Sequence, residues 1–223
     1  RLEKEASKPM HKEIAHYYCE LAVDARVKVS SEQASRFLKR AFATDRQCVR
    51  ASLLLGQWEM QAGNYRGAMK VLQKINHQDA DFLPEAMPIL LTCAEQTGQE
   101  TVLLQFLEQC LDAHPSVSII LIFAERLQQW RGIEAAHAFI SEQLKKRSSL
   151  RGLQRLIELE EMLAQQEDKT HLRFFDEVVS QLLLNKPHYQ CSNCGYAGKV
   201  LHWSCPSCKL WSTIKPIAGV DNE

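Results

Sequence analysis

The chain has 223 residues, and its 45% hydrophobic content is enough to bury a substantial core, which excludes an intrinsically disordered protein. Lysine plus arginine equals aspartate plus glutamate at 27 each, so no global positive charge is available to attract nucleic acid or anionic lipid. No stretch approaches the roughly 18 uninterrupted apolar residues that a membrane-spanning helix needs.

From residue 9 to about 186 the sequence predicts amphipathic helices, with almost no alternating strand pattern. The breaks between helices carry capping, glycine or proline signals: Ser30 with Gln33, Gly63-Asn64, Gly98, Pro115 and Gly132. These breaks predict ten helices arranged as five hairpins.

The helical segment contains an internal repeat of about 34 residues. The pattern Ala34-x3-Leu38-x2-Ala41 returns 34 residues later as Ala68-x3-Leu72-x2-Ile75. In the helix before each of these, a small residue lets the two helices of a hairpin cross closely. In the first helices this position is occupied by Ala22, Gly56 and Ala124, and Leu91 is the exception. In the second helices the corresponding small residues are Ala34, Ala68 and Ala136. The period and the small residues resemble the tetratricopeptide repeat.

A fifth hairpin, at about 149–165 and 168–186, lacks the small residues and is interpreted as a capping unit. Its apolar stripe is predicted to run through Leu153, Leu156, Ile157, Leu172, Phe175, Val179 and Leu182. The function of such a solenoid belongs to its concave surface, which is lined by first helices. Helical phase places these polar candidates there: Arg26, Arg50, Gln57, Glu125 and Gln128.

Four of the eight cysteines lie within 18 residues, as the pairs Cys191-x2-Cys194 and Cys205-x2-Cys208. In each pair a turn aims two thiolates at one point, so the two pairs predict a tetrahedral four-sulfur metal site. A redox-active pair normally opens a helix after a strand in an α/β fold, and that context is lacking. The other cysteines stand singly and are interpreted as small buried side chains: Cys19, Cys48, Cys93 and Cys110.

Aromatic residues surround the cysteine pairs: Tyr189, Tyr196, Trp203 and Trp211. They could form a base-stacking platform, but the local positive charge is thin and a module of this size needs them as its core. His188 and His202 could replace a cysteine ligand, but four thiolates already complete the shell.

The cysteine segment resembles the rubredoxin type of metal knuckle, whose pattern is Cys-x2-Cys-Gly-Tyr followed by Cys-Pro-x-Cys. The resemblance implies one tetrahedral iron or zinc ion per chain. Two departures argue against electron transfer: only ten residues separate the pairs, and Lys209 replaces the glycine usual after the last cysteine.

The predicted fold is therefore all-α, a tetratricopeptide-repeat superhelix with a small C-terminal rubredoxin-like or zinc-ribbon knuckle. We expect repeats over residues 1–186 and the metal module over residues 187–223. The tether from Lys186 to Cys191 is short, so the module is predicted to pack against the last helical hairpin. The sequence has no metalloprotease helix, phosphate-binding glycine loop or nucleophile elbow, and we predict no catalytic residues and no enzyme activity.

Repeats combined with a C-terminal knuckle, the segment from Glu13 to Ala22 (EIAHYYCELA) and the ending from Trp211 to Ile217 (WSTIKPI) resemble the LapB family of lipopolysaccharide assembly proteins of Gram-negative bacteria. The resemblance implies an adaptor on the cytoplasmic face of the inner membrane, held by an N-terminal anchor that, like the first repeats, lies outside this chain. It implies that the adaptor promotes degradation of LpxC, the committed deacetylase of lipid A synthesis, by the membrane protease FtsH. It also implies that the adaptor organises other lipopolysaccharide assembly proteins.

Other interpretations stay open at this point. The knuckle could act as a redox or metal sensor, and metal identity separates this from a structural role, since zinc is redox-inert. The repeats could form a generic scaffold with other protein partners, and the sequence leaves open a homodimer. Binding of nucleic acid is not expected.

Overall fold

The structure is a computed structural model, and it describes residues 8–165, 169–184 and 186–217. Its helices run as follows: α1 Lys8–Lys28, α2 Ser31–Thr44, α3 Val49–Gln61, α4 Tyr65–Leu72, α5 Ile75–Gln78, α6 Leu83–Thr97, α7 Glu100–Ala113, α8 Val117–Arg131, α9 Ile133–Lys146, α10 Leu150–Leu163 and α11 Lys169–Leu184. A 3-10 turn, Ala80–Phe82, joins α5 to α6. The prediction of a mostly helical repeat fold is confirmed.

Three short strands follow the helices: β1 Tyr189–Cys191, β2 Ala197–Gly198 and β3 Ile214–Pro216. They form an antiparallel sheet in the order β2-β1-β3, with Tyr189 opposite Gly198 on one side and Pro216 on the other. We call residues 189–216 the ribbon.

The chain divides into two compact units. The first contains residues up to Leu103 together with the ribbon, and the second contains Leu104–His188. The ribbon, although last in sequence, therefore belongs to the same unit as α1–α6.

Small residues bring the helices of the first unit together. Ala22, Ala34 and Ala68 are fully buried, and a Cβ atom on Gly56 of α3 would lie 2.4 Å from the Cδ2 of Leu72 on α4. Contacts that close leave no room for a larger side chain. The repeat positions inferred from the 34-residue period are therefore packing positions in the structure.

The helix breaks follow the capping signals. The backbone amide of Gln33 donates to the Ser30 Oγ at 3.2 Å, and that of Gly67 donates to the Asn64 Oδ1 at 3.1 Å. Gly98 ends α6 with φ of 65°, a left-handed conformation that favours glycine.

In the second unit, α8 and α9 pack through Ile120, Ala124, Ala136 and Ile140, and Leu159 of α10 completes this core. The predicted stripe of the last hairpin is only partly right. Ile157 and Val179 are buried, but Phe175 and Leu182 are 54% and 53% exposed. The spacing alone did not identify which of the two apolar faces of α11 packs against α10.

The third repeat differs from the predicted hairpin. The second helix of the preceding repeat ends at Leu72, and α5 and the 3-10 turn are inserted before α6. Asp79 caps the turn by accepting from the backbone amide of Asp81 at 3.3 Å. Among the helices of the described ranges, none combines the length and apolar character needed to cross a bilayer.

Candidate metal centre

The four predicted cysteines converge at one end of the ribbon. The Sγ atoms of Cys191, Cys194, Cys205 and Cys208 all lie within 4.8 Å of one another. Cys191 and Cys208 are 3.8 Å apart at sulfur, and Cys194 and Cys205 are 3.7 Å apart. A tetrahedron with zinc–sulfur bonds of about 2.3 Å has edges of about 3.8 Å, so the geometry fits a single tetrahedral ion.

Each cysteine pair is held by the same local backbone pattern. The backbone amide of Gly195 donates to the carbonyl of Cys191 at 3.0 Å, and that of Lys209 donates to the carbonyl of Cys205 at 2.9 Å. The amide of Cys191 in turn donates to the carbonyl of Tyr196 at 2.7 Å. The pairs are therefore two related turns that bring their sulfurs to a common point.

Amide groups inside these turns point at the sulfurs. Burial acts to raise the pKa of Cys191, but its hydrogen bond with the Thr213 hydroxyl and the hydrogen bonds from the amides of Cys194 and Asn193 outweigh it and lower the pKa to about 6. Burial raises the pKa of the Cys205 thiol to about 11, although backbone amides act against it. These amides favour negative charge on sulfur, which a metal-bound thiolate also carries.

The residue after each pair adopts a left-handed backbone. Gly195 has φ of 76° and Lys209 has φ of 63°. The left-handed region costs a residue with a Cβ atom roughly 1 to 2 kcal/mol, whereas glycine enters it freely. The lysine that departs from the rubredoxin pattern thus occupies a position that favours glycine.

Opposite substitutions at these two positions should have opposite effects. We expect Lys209→Gly to raise the free energy of unfolding of the ribbon by up to about 1 kcal/mol, since the relief of strain exceeds the added entropy of the unfolded chain. Gly195→Ala should lower it by about 1 to 2 kcal/mol. Chelator titration of the metal-loaded chain measures both, and a lower chelator resistance in Lys209→Gly would contradict the argument.

The ribbon has a small core of its own. Cys191, Cys205 and Ile214 are buried, and Tyr189 and Tyr196 pack against them. The prediction that the aromatic residues form this core thus fits the two tyrosines. Trp203 and Trp211 instead pack on helices of the first unit.

The two tryptophans contact residues far away in sequence. Trp203 stacks on Phe82 with ring centroids 5.4 Å apart, and the guanidinium of Arg50 lies 5.9 Å from its ring. Trp211 stacks on His16 at 5.0 Å and meets the edge of Tyr17 at 5.4 Å. The ribbon is thereby packed on α1, on α3 and on the 3-10 turn.

Polar contacts complete this attachment. The Tyr189 hydroxyl donates to a carboxylate oxygen of Glu85 on α6 at 2.7 Å. The ammonium of Lys215 lies 3.0 Å from Asp79 and 2.9 Å from Asp81. Burial acts to lower the pKa of Lys215, but the two carboxylates outweigh it and raise the pKa.

The tether predicted that the ribbon packs against the last hairpin, whereas the contacts that the structure shows for the ribbon within its unit are with α1, α3, α6 and the 3-10 turn. Tether length alone does not select a neighbour. The inserted segment between α4 and α6 supplies Asp79, Asp81 and Phe82, whose contacts with the ribbon the repeat pattern did not predict. The sequence signal available was the group Asp79-Ala80-Asp81-Phe82, which departs from the repeat.

His16 is buried at the centre of the attachment. It is 3% exposed, its Nε2 lies 2.5 Å from the Ser212 Oγ, and its Nδ1 has no hydrogen-bond partner among the described residues. Burial, followed by the charges of Arg50 and Lys12, lowers its pKa from 6.5 to about 4. The structure therefore holds His16 as the neutral imidazole.

Acid should therefore weaken the attachment. The unfolded chain takes up a proton at His16 near pH 6.5 and the folded chain only near pH 4, so stability from this group is present above pH 6.5 and falls as pH decreases. We expect His16→Gln to remove about 2 kcal/mol of the stability change between pH 7 and pH 5. Urea unfolding of both proteins at the two pH values measures it. Identical pH dependence of the two proteins would contradict the assignment. Protonation of the ribbon cysteines affects both proteins equally and therefore does not contribute to the difference between them.

The predicted concave-surface residues have different environments. Arg50 forms an ion pair with Glu20 at 2.8 Å and lies next to the ribbon. The guanidinium carbon of Arg26 lies 4.6 Å from the centroid of the Trp58 ring. Gln57 is exposed. Glu125 and Gln128 line a groove of about 710 Å³ in the second unit, between α8, α10 and the end of α11. The groove is also lined by Leu121, Ile122, Arg151, Arg155 and Glu158.

Residues 189–216 match the family described as rubredoxin metal binding domain, and residues 31–86 match the tetratricopeptide repeat. Among solved structures, Pseudomonas aeruginosa pilF superposes with a TM-score of 0.46 at 18% identity, covering 77% of this chain and 78% of that chain. The MamA protein superposes with a TM-score of 0.47 at 16% identity, covering 77% of this chain and 94% of that chain.

The chain is also similar over nearly its whole length to curated proteins named lipopolysaccharide assembly protein B. It is 32% identical to that of Escherichia coli (strain K12) over 222 residues, which is 99% of this chain and 57% of the relative. It is 30% identical to that of Haemophilus influenzae over 214 residues, which is 95% of this chain and 53% of the relative. The chain thus spans little more than half the length of these relatives.

Proposed function

We propose that the chain, which is similar over 99% of its length to lipopolysaccharide assembly protein B, is a non-enzymatic adaptor in lipopolysaccharide assembly. The observation that carries the proposal is the combination of this homology with a ribbon fixed to the repeats. A protein that holds others in position needs a rigid frame and an open surface, and it needs no catalytic centre.

The groove of the second unit is the surface that we assign to partner proteins. Its walls combine apolar side chains with the cationic groups Arg151 and Arg155 and the acidic groups Glu125 and Glu158. Arg155 is paired with Glu158 at 2.6 Å, which fixes one wall of the groove. Mixed walls of this kind suit a polypeptide segment, which carries both apolar side chains and peptide groups.

More specifically, we propose that the adaptor brings LpxC to FtsH and so limits lipopolysaccharide synthesis. These two partners come from the resemblance of the segment from Glu13 to Ala22 and of the C-terminal ending to the LapB family. Tethering of the adaptor at the membrane beside the protease would raise the effective concentration of bound LpxC. Modest affinity in each contact would then suffice.

The ribbon contributes to this function as a metal-stabilised support. We propose that Cys191, Cys194, Cys205 and Cys208 hold one iron or zinc ion, which when bound cross-links the two turns. Elemental analysis of protein purified without chelators tests this, and a visible thiolate-to-iron absorption band identifies iron. Zinc would favour the structural role, and iron that cycles between oxidation states would favour the alternative of a redox sensor.

The functional proposal is tested by depleting the protein in its host and following the lifetime of LpxC. We expect depletion to lengthen the lifetime and the full-length protein to restore it. A form with all four ribbon cysteines replaced by serine should restore it less well, because the ribbon unfolds. The matched control replaces Cys93 and Cys110, which lie in the helices, and should restore the lifetime.

Two results would separate the assignment of LpxC from the role of the ribbon. An LpxC lifetime that depletion leaves unchanged would overturn the assignment of LpxC, while the metal site and scaffold stay testable in the purified protein. Full activity of the four-cysteine variant would overturn the role of the ribbon and leave the assignment of LpxC standing.

A further inference from the structure

Two cysteines outside the ribbon face each other in the core of the first unit. Cys19 lies in α1 and Cys48 directly precedes α3, and their sulfurs are 3.9 Å apart although 29 residues separate them. Both belong to the same buried cluster and neither forms a disulfide. The sequence interpretation of these residues as isolated small side chains is therefore incomplete, because the fold pairs them.

The two sulfurs have different surroundings. Cys48 stands at the N-cap of α3, where the peptide dipoles favour negative charge. Its pKa is lowered by the hydrogen bond with Cys19 and by the backbone amide of Ala51, against the effect of burial. The hydrogen bond to Cys48 and burial raise the pKa of Cys19. Of the two sulfurs, Cys48 is therefore the one that loses its proton more readily.

The exposure of the two sulfurs to an oxidant also favours Cys48. Cys48 is 4% exposed and Cys19 is fully buried. Burial this deep excludes a bulky oxidant such as a peptide disulfide, while a peroxide is small enough to arrive through a local opening of the chain. Cys48 is therefore the residue that reacts first with the peroxide.

We propose that Cys19 and Cys48 form a reversible oxidation site for small peroxides, at which a disulfide joins α1 to the start of α3. The Cys48 thiolate attacks one peroxide oxygen, the oxygen–oxygen bond breaks, and sulfenic acid and hydroxide result. The sulfur of Cys19 then attacks the sulfur of Cys48 and expels hydroxide, which takes up the proton of Cys19. The hydroxide of the first step takes up the proton that Cys48 lost on ionisation, so two thiols and one hydrogen peroxide give one disulfide and two waters. Two equivalents of an added thiol reduce this disulfide to the two cysteines and are themselves oxidised to a disulfide.

The position of the pair connects it to the ribbon. Glu20 follows Cys19 in α1, Arg50 lies two residues after Cys48, and the two side chains form the ion pair at 2.8 Å beside Trp203. Closing the sulfurs from 3.9 Å to a bond of about 2.0 Å moves both backbone segments that carry this ion pair. Oxidation should therefore change the environment of Trp203.

The test uses the full chain, reduced and metal-loaded, treated with hydrogen peroxide and then alkylated after denaturation. Trypsin places Cys19 in the peptide 13–26 and Cys48 in the peptide 47–50. We expect mass spectrometry to find these two peptides joined, with loss of both free thiols and recovery on adding dithiothreitol. Cys93 and Cys110 are buried cysteines in other helices and serve as internal controls that stay alkylated.

Single variants test the order of attack. In Cys19→Ala, peroxide should leave a sulfenic acid on Cys48 that dimedone traps, whereas in Cys48→Ala the thiol of Cys19 should stay unmodified. Equal trapping at both positions would overturn the assigned order. If peroxide leaves Cys19 and Cys48 as free of oxidation as Cys93 in the folded wild-type chain, the site itself is overturned, and this measurement needs no variant to fold.

Discussion

Replacing Cys205 by serine is expected to abolish metal binding and to unfold the ribbon. Cys205 is fully buried, and its sulfur lies 3.7 Å from that of Cys194. The ribbon has only three short strands and a core of few side chains, so it cannot remain folded without an internal cross-link. Metal binding in modules of this size contributes on the order of 10 to 16 kcal/mol, far more than these strands supply.

The expected result is a metal content that falls from one ion per chain to near zero, together with loss of amide protection over residues 189–216. Protection should also fall along α1 and α6, because His16 and Glu85 lose their partners in the ribbon. Elemental analysis and hydrogen exchange measure these effects. The matched control is Cys110→Ser, a buried cysteine of the second unit, which should keep the metal. A Cys205→Ser chain that still binds one ion would show that three thiolates suffice.

The convergence of the four ribbon cysteines was predictable because its information is local. The spacing of the two Cys-x2-Cys pairs and the turn residues beside them determine where the four sulfurs point, whatever the rest of the chain does. The repeats were predictable for a related reason. Close helix crossing needs a small residue at a fixed place, and Ala34 and Ala68 mark it at a fixed period.

The attachment of the ribbon was not predictable in this way, since it joins residues that lie far apart along the chain. Nothing local to Trp203 indicates that its partner is Phe82, and nothing local to Lys215 indicates Asp81. Both partners lie in the segment inserted between α4 and α6, which interrupts the repeat. A break in an otherwise regular repeat is the one signal that could have directed attention to this segment. Pairing of Cys19 with Cys48 was hidden for the same reason of distance in sequence.

Replacing Trp203 by alanine is expected to detach the ribbon without emptying the metal site. The ring packs between Phe82, His16 and the guanidinium of Arg50, so its removal takes away the centre of the attachment. Burying a tryptophan completely is worth about 3 to 5 kcal/mol relative to alanine, and Trp203 is partly exposed, so we expect a loss of about 2 to 4 kcal/mol. Hydrogen exchange of α1 and urea unfolding measure the loss.

The metal content of Trp203→Ala shows whether its loss of stability reflects detachment of a folded ribbon or unfolding of the ribbon. The side chain of Trp203 is not a ligand, and the four sulfurs are held by their own turns, so the variant should keep one ion per chain. Trp130→Ala is the matched control, because Trp130 is 43% exposed on α8 and its removal should cost well under 1 kcal/mol. If Trp203→Ala loses the ion as well, folding of the ribbon depends on the helices. If it keeps both the ion and the protection of α1, the polar contacts of Tyr189 and Lys215 carry the attachment and the tryptophan does not.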